Sequence, residues 1–149
     1  MSSTPTRDLF SFSHDLRVRW AEVDPQGIVF NGNYLTYADV GITEYFRALR
    51  MAYPDALTAD GCDFYAVRTT LEYRAPAHFD QLLEIAIRIA RLGRSSLTFQ
   101  MGIFDKDQLL TIGEIVYVHA RREPRVSEPL PDWFRERVMA FEKTPPQLG

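Results

Sequence analysis

Hydrophobic residues follow two different periods along this chain, and the period changes from one segment to the next. Within residues 14–22, Leu16, Val18 and Trp20 share one face with His14, and Arg17 and Arg19 lie on the other, which predicts a half-buried strand. Between residues 34 and 51 the apolar and aromatic residues instead recur every three or four positions, which predicts an amphipathic helix. Residues 24–33 follow neither period and predict a loop.

Four more strand-like segments follow the predicted helix, and no second long helix lies among them. They alternate with a period of two or are rich in β-branched and aromatic residues, and they span residues 64–75, 82–92, 95–104 and 109–120. Turn residues at 92–94 and 105–108 predict hairpins. A proline-containing linker over residues 121–131 precedes a short amphipathic helix at 131–142.

The predicted order is strand, long helix, four strands and short helix, which is typical of an α+β fold. A single long helix buries its apolar face when an antiparallel sheet wraps around it. An edge strand of that sheet then needs cover, so we expect a homodimer or homotetramer. We also expect residues 1–13 to be a flexible N-terminal tail and residues 14–149 to form one domain.

Composition and charge restrict the class of protein. The 149 residues are 46% hydrophobic and 25% charged, as in ordinary globular domains. The net charge of −3 argues against nucleic acid as a partner. Cys62 is the only cysteine, so an intramolecular disulfide is impossible and a reducing compartment fits. Because no signal peptide and no apolar run of membrane-spanning length is evident, we expect a cytoplasmic protein without a membrane partner.

The loop before the predicted helix contains the most informative candidate site. Asp24 precedes Pro25 and Gly27, which favour a turn, and Asn31 and Asn33 are typical helix-capping residues. An acid beside a helix N-terminus suits attack on a carbonyl, because the helix end supplies N–H groups and partial positive charge. Taken alone, however, the pattern at Asp24 fits a plain Asx turn better than catalysis.

Other kinds of site find less support in the sequence. The three histidines, His14, His78 and His119, lie far apart, with no cysteine or carboxylate at ligand spacing, so we expect no metal site. No Ser or Cys lies in a nucleophile elbow, and no glycine-rich phosphate loop is present.

Two motifs carry a resemblance to a known family. Residues 19–47 contain the pattern aromatic-x-x-x-Asp-Pro-x-Gly-Ile-Val-aromatic-x-x-Asn-Tyr, and residues 91–99 read Arg-Leu-Gly-Arg-Ser-Ser-Leu-Thr-Phe. With the order of elements, they make most of the chain similar to the hotdog-fold acyl-CoA thioesterases of the 4-hydroxybenzoyl-CoA thioesterase-like group. The resemblance implies a hotdog fold, in which an antiparallel β-sheet wraps around one long central helix.

The resemblance also implies an activity, the hydrolysis of an acyl-CoA thioester to a carboxylic acid and free coenzyme A. The acid that matches Asp24 is the catalytic carboxylate, acting as nucleophile or general base. The backbone N–H that matches Asn31, at the start of the central helix, polarises the thioester carbonyl. Many relatives carry His at the position of Asn31, so the implied role belongs to its backbone. No cofactor is implied, since coenzyme A is part of the substrate.

Further residues are candidates for contact with the acyl-CoA substrate. They are Gly32, Tyr34, Asp39, Arg94, Ser95, Arg121 and Arg122. The first three lie at or on the predicted helix, where Asp39 is either a pocket group or a solvent-facing charge. The arginines, with Ser95, lie at strand ends, and guanidinium groups suit the phosphates of coenzyme A.

Other functions stay open at this point. The chain could be a non-catalytic acyl-CoA-binding module, although such sensors are expected to carry an attached regulatory segment. The thioester could belong to an acyl-carrier protein rather than coenzyme A. A hotdog dehydratase would need a histidine paired with Asp24, and none lies nearby in the sequence.

Overall fold

The computed structural model describes residues 4–149, so the first three residues of the predicted tail lie outside the described residues. The helices and strands, in chain order, are β1 (Phe12–Arg17), α1 (Asn33–Ala48), α2 (Asp55–Thr58), β2 (Cys62–Tyr73), β3 (Leu82–Leu92), β4 (Ser96–Asp105), β5 (Gln108–Arg122), β6 (Arg125–Ser127), α3 (Asp132–Phe141) and β7 (Gln147–Leu148). Two short 3₁₀ turns occur at Arg7–Leu9 and Trp20–Glu22.

The strands form one sheet in the order β1-β3-β4-β5-β2, with every neighbouring pair antiparallel. The short strands add to its sides, β6 against β5 and β7 parallel to β3. Strands β3 and β4 lie in the middle and bury most of their side chains. The predicted α+β fold, an antiparallel sheet packed on one long helix, is confirmed.

Helix α1 packs one face against β1 and β3. Its buried residues are Tyr34, Tyr37, Ala38, Gly41, Ile42, Tyr45 and Phe46, which recur at the helical spacing read from the sequence. The helix comes closest to the sheet at Gly41, where an added Cβ would lie 2.7 Å from Cγ2 of Ile85 and 2.9 Å from Cγ1 of Ile87. A glycine at this position therefore lets the helix and β3 approach each other.

The N-terminal region differs from the prediction. Strand β1 begins at Phe12 and ends at Arg17, whereas the alternation predicted a strand over residues 14–22. Phe10 is only 2% exposed and packs edge-on against Phe104, so this part of the expected tail contacts the sheet. Beyond β1 the chain coils into a 3₁₀ turn, which leaves Trp20 75% exposed although it shares the phase of the buried residues.

Strand β2 lies at one end of the sheet order and is long for an edge strand. Residues 66–70 in its middle are all exposed, and its register with β5 shifts between Ala66 and Arg68. An edge of this length presents unpaired backbone groups that proteins usually cover. Among the described residues, no helix has the length and apolar character needed to span a membrane.

Candidate active site

The loop that precedes α1 closes into a tight turn at Asp24. The backbone N–H of Asp24 donates to the Ile28 carbonyl at 2.9 Å, and the Gly27 N–H donates to the Asp24 carbonyl at 2.9 Å. Gly27 has a φ of +81°, a conformation that side chains rarely adopt. On either side of the turn, Val23 and Val29 form an antiparallel bridge. The predicted turn is therefore present, and it holds Asp24 at its first position.

The Asp24 carboxylate has one oxygen engaged and one available. Its Oδ1 accepts a hydrogen bond of 2.8 Å from the Gln26 N–H, which is the Asx turn expected from the sequence. No group among residues 4–149 donates to Oδ2. The side chain is half-buried. The Asx turn thus orients the carboxylate without using both of its oxygens.

The N-terminus of α1 has no side-chain cap. Gly32 is the N-cap residue, and no side chain of the described residues 4–149 hydrogen-bonds to the helix end. The prediction that Asn31 and Asn33 are caps is therefore wrong. The Asn33 amide instead donates to the Glu22 carbonyl at 2.9 Å, because the preceding loop folds back beneath it. Within the described chain, the backbone N–H groups of Asn31 and Gly32 donate no hydrogen bond, so they are available to an acceptor outside the protein.

A pocket of about 300 Å³ joins the turn to the helix N-terminus. Its lining residues are Asp24, Gln26, Ile28, Val29, Asn31, Tyr34, Tyr73, Arg74, Ala75 and Pro76. Most of the lining surface is apolar, and the polar residues that border it besides the two tyrosines are Asp24, Gln26, Asn31 and Arg74. Such a pocket accepts a mostly apolar ligand and presents a base and a hydrogen-bond donor to one polar centre.

Two tyrosines fix the wall of this pocket opposite the turn. The Tyr34 hydroxyl accepts a 3.1 Å hydrogen bond from the Ala77 N–H, and the Tyr73 hydroxyl donates to the Asn31 carbonyl at 3.1 Å. The two rings meet edge to face with centroids 5.2 Å apart. Burial raises the pKa of Tyr34, so its phenol stays neutral. The pair ties the end of β2 to the start of α1.

Glu22 is a structural residue of the site that the sequence did not reveal. A charged residue at the end of the predicted strand over residues 14–22 is expected to face solvent, yet Glu22 is only 9% exposed. Its carboxylate accepts hydrogen bonds from the backbone and side chain of Arg19, at 2.8 and 2.9 Å, and from the Tyr37 hydroxyl at 2.9 Å. Its own carbonyl accepts from Phe30 and Asn33. Glu22 therefore anchors both sides of the Asp24 turn.

Asp39 lies away from this pocket, although Asp24, Asn31 and Tyr34 all line it. One turn further along α1, Asp39 borders a separate cavity of about 310 Å³ together with Tyr53, Phe64 and Tyr117. Burial raises the pKa of the Asp39 carboxyl. Asp39 is exposed to solvent and also borders this second cavity, so it is a solvent-facing charge at the edge of a cavity that does not contain Asp24.

The residues predicted to contact the coenzyme A phosphates lie at the other end of the sheet. Arg121 pairs with Cys62 at the start of β2, whereas Tyr73 of the pocket is the last residue of β2. Arg121 also forms an ion pair with Glu128 at 2.7 Å. Arg94 and Ser95 lie in the β3–β4 turn beside this end, and the Ser95 carbonyl accepts a hydrogen bond from the His119 N–H at 2.7 Å. Arg122 follows Arg121 in β5.

Comparison with known proteins places the chain in a family. Residues 26–112 match the family model of the thioesterase superfamily. The acyl-CoA thioester hydrolase YbgC of Escherichia coli O157:H7 is 31% identical over 108 residues, which cover 72% of this chain and 80% of that protein. The chain belongs to the thioesterase superfamily, and the predicted enzyme class, a thioester hydrolase, is confirmed at the level of this family.

Solved structures agree with this assignment. A member of the thioesterase superfamily from Jannaschia aligns with a TM-score of 0.83 and 22% identity over 94% of this chain and 98% of that one. A thioesterase from Thermus thermophilus, solved with coenzyme A and zinc, aligns with a TM-score of 0.78 and 29% identity over 93% of this chain and 98% of that one. The predicted hotdog fold is therefore confirmed.

Proposed function

We propose that the protein hydrolyses acyl-CoA thioesters, with Asp24 as the catalytic carboxylate and the N-terminus of α1 as the oxyanion site. One observation carries the proposal: a carboxylate with a free oxygen and a helix end with unused N–H groups border the same, largely apolar pocket. The similarity to the E. coli acyl-CoA thioester hydrolase and to a thioesterase solved with coenzyme A supports this substrate class.

The chemistry follows from this arrangement. The thioester carbonyl oxygen accepts hydrogen bonds from the N–H groups of Asn31 and Gly32, where the positive end of the helix dipole stabilises the charge that develops on it. As a general base, Asp24 takes a proton from water, and the hydroxide attacks the carbonyl carbon. The C–S bond then breaks, and the proton passes to the departing thiolate to give coenzyme A and a carboxylic acid.

As a nucleophile, Asp24 instead attacks the carbonyl carbon directly. The C–S bond breaks to leave an anhydride between Asp24 and the acyl group, and water then hydrolyses the anhydride. Single turnover in ¹⁸O-labelled water tests the nucleophilic route. Label in the Asp24 side chain requires an anhydride whose Asp24 carbonyl is attacked by water. Attack by water on the thioester, or on the acyl carbonyl of an anhydride, puts the label into the product instead.

We also propose that two copies pair through the edge of β2. The exposed residues 66–70 supply a long unpaired edge. A two-fold axis perpendicular to the sheet makes the two edge strands antiparallel, which sets the Cys62 end of one β2 beside the Tyr73 end of its partner. The arginines near the Cys62 end of one copy then lie beside the thioester pocket of the other, within reach of the coenzyme A phosphates.

The most direct assay is thiol release from a panel of aromatic and aliphatic acyl-CoAs, with matched acyl-carrier-protein thioesters in parallel. We expect turnover of acyl-CoAs without an added cofactor, since coenzyme A enters as part of the substrate. Binding of acyl-CoA without release of thiol would contradict the proposal and favour an acyl-CoA-binding module.

Sedimentation analysis tests the pairing, because a monomer at micromolar concentration would contradict it. The cytoplasmic location stays a prediction.

A further inference from the structure

A second group of reactive side chains lies where β2 begins and β5 ends. Asp60 precedes β2, Cys62 opens it, and His119 lies on β5 opposite Phe64. One ligand-type atom from each of the three side chains lies within 4.8 Å of the other two. Within residues 4–149 this is the one such group of His, Cys, Asp or Glu. The sequence did not indicate it, because His119 is far from the other two along the chain and only the β2–β5 register brings them together.

His119 is held in the orientation that a metal ligand needs. Its Nδ1 lies 3.1 Å from the Glu128 carbonyl, which only accepts, so this nitrogen carries the proton. The lone pair of the ring is therefore on Nε2, which faces Oδ2 of Asp60 at 3.8 Å. A ligating histidine usually donates its other N–H to a carbonyl or carboxylate in this way. The ring is 2% exposed, so its orientation is fixed by its surroundings.

The other two side chains complete a small, partly open site. Oδ1 of Asp60 accepts a 3.0 Å hydrogen bond from the Cys62 N–H, which leaves Oδ2 directed towards His119. Cys62 is 6% exposed. The Asp60 side chain is 50% exposed and gives solvent and ions a way in. The cluster is buried on the side of its sulfur and nitrogen and open on the side of its oxygen.

The charges around Cys62 suit a cation. The Asp60 carboxylate lies beside the Cys62 sulfur and the His119 ring. Arg121, which pairs with Cys62 across the strands, forms an ion pair with Glu128. A bound dication would stabilise the Cys62 thiolate, as metals do for coordinating thiols.

We propose that Cys62 Sγ, His119 Nε2 and Asp60 Oδ2 bind a zinc ion, with water from the open side as the fourth ligand. Thiolate, imidazole and carboxylate are the ligand types that zinc takes, in tetrahedral geometry. Zinc bond lengths would set these atoms about 3.3–3.6 Å apart. The three atoms lie within 4.8 Å of one another, and Nε2 of His119 is 3.8 Å from Oδ2 of Asp60, so zinc binding requires a closing movement of at most about 1.5 Å.

The proposed ion would join the start of β2 to β5 and to the segment that carries Glu128. Cys62 and Tyr73 are the first and last residues of β2, so the ion lies on the order of 30 Å from the thioester pocket of its own chain. In the proposed pair the ion would lie near the thioester pocket of the partner copy. Zinc binding is measured without substrate and without turnover, so the test of the zinc site is separate from the test of the proposed hydrolysis.

Metal titration of the purified wild-type chain tests the site. We expect one zinc ion per chain by competition with a chromogenic chelator, and cobalt in its place should give a thiolate-to-cobalt charge-transfer band. Cys62→Ser should abolish that band. Cys62→Ser and His119→Gln should each weaken zinc binding more than 100-fold, beyond the roughly 10- to 100-fold cost of losing an outer-shell partner. His14→Gln, on β1, is the matched control and should bind like wild type.

Two results would overturn the site: wild type that binds no zinc at one-to-one stoichiometry, or Cys62→Ser that binds it with unchanged affinity. A measurement on the wild-type chain alone guards against variants that fail to fold. Cys62 is the only thiol, so its reaction with a thiol-specific disulfide reagent reports on this site directly. Zinc should slow that reaction at least 10-fold, and magnesium should not. Equal rates with and without zinc would also contradict the proposal.

Discussion

The buried hydroxyl of Tyr37 donates a 2.9 Å hydrogen bond to Oε1 of Glu22, and this contact joins α1 to the loop that presents Asp24. Glu22 stays charged in its buried position for a physical reason. Burial opposes its ionisation, but the hydrogen bonds from Arg19 and Tyr37 outweigh burial and lower the pKa of the Glu22 carboxyl. Burial, together with the hydrogen bond to the negatively charged Glu22, raises the pKa of Tyr37, so the phenol remains a donor.

Removing this contact should cost stability and move the Asp24 turn. Tyr37→Phe leaves a charged acceptor short of one donor, so we expect about 1.5–3 kcal/mol less free energy of unfolding. Urea denaturation measures the loss. Tyr53→Phe is the matched control, because the Tyr53 hydroxyl binds Asp63 in an exposed position. Equal stability of Tyr37→Phe and Tyr53→Phe would contradict the role of Glu22 as an anchor.

The same contact predicts a pH dependence. A carboxyl whose pKa is lowered on folding stabilises the folded state above its unfolded pKa and loses that contribution as pH falls through the folded pKa. For Glu22 the loss should therefore appear below its ordinary value of 4.5. Denaturation of wild type and Glu22→Gln between pH 7 and pH 3 checks this. Their difference in stability should shrink as pH falls, and a constant difference would contradict the prediction.

The contribution of Glu142 to stability should change with pH in the opposite direction. Its Oε2 accepts from Tyr45 at 2.6 Å and from the Ile89 N–H at 3.0 Å, at an irregularity in β3. Oε1 is buried and has no hydrogen-bond partner among residues 4–149. Burial raises the pKa of the Glu142 carboxyl in spite of these bonds. A raised carboxyl pKa gives stability that is present below the unfolded pKa and is lost as pH rises through the folded pKa.

Glu142→Gln keeps an oxygen for both donors and removes the costly charge. We therefore expect its free energy of unfolding at pH 7 to match or exceed that of wild type. As pH falls, the free energy of unfolding of wild type should increase relative to that of the variant. Denaturation curves at pH 7 and pH 4 measure both values. A loss of more than about 2 kcal/mol at pH 7, the size expected when a buried network is broken, would contradict this assignment.

Substitution of the two asparagines at the start of α1 should have different effects on activity and stability. The Asn31 side chain makes no capping bond, so Asn31→Ala keeps the proposed backbone donor and should change kcat less than about 3-fold, a difference below 1 kcal/mol. Asn33→Ala removes the bond to the Glu22 carbonyl and should reduce stability by about 1 kcal/mol. Thiol-release kinetics and thermal denaturation of both variants check this. A loss of activity in Asn31→Ala as large as that in Asp24→Asn would mean that the side chain takes part in the chemistry.

Substitution of the arginines near the Cys62 end should change KM only for substrates that carry the nucleotide. Arg94→Gln and Arg122→Gln should raise KM for acyl-CoA and leave KM for truncated thioesters unchanged, because the latter have no phosphates to contact. Arg121→Gln also breaks the pair with Glu128, so the other two are the cleaner variants. Some loss of kcat with full-length acyl-CoA is allowed, since remote binding energy supports the transition state. The same change in KM for both substrates would indicate a structural effect.

Local periodicity predicted the elements that depend on local sequence. Leu83, Ile85, Ile87 and Ile89 alternate with other residues, and the strand that they predicted has the expected bounds, Leu82–Leu92, although its register with β4 shifts after Ile89. The alternation before Asp24 predicted too long a strand. Trp20 occupies the apolar position of the alternating pattern, but the chain there forms a 3₁₀ turn that exposes its side chain. Other features of the structure depend on contacts between residues that are distant in the sequence. Glu22 is buried by a tyrosine fifteen residues further along, and His119 meets Cys62 only through strand pairing, so neither relation has a local signal.

The Asp24→Asn variant tests the proposed mechanism most directly. The amide oxygen of Asn can still accept the Gln26 N–H, so the turn should persist while the base or nucleophile is lost. We expect at least about a 10²-fold fall in kcat on the best acyl-CoA, with a smaller change in KM. Asp107→Asn, in the exposed β4–β5 turn, is the matched control and should turn over like wild type. Turnover by Asp24→Asn within a few-fold of wild type would contradict the assignment of Asp24 as the catalytic carboxylate.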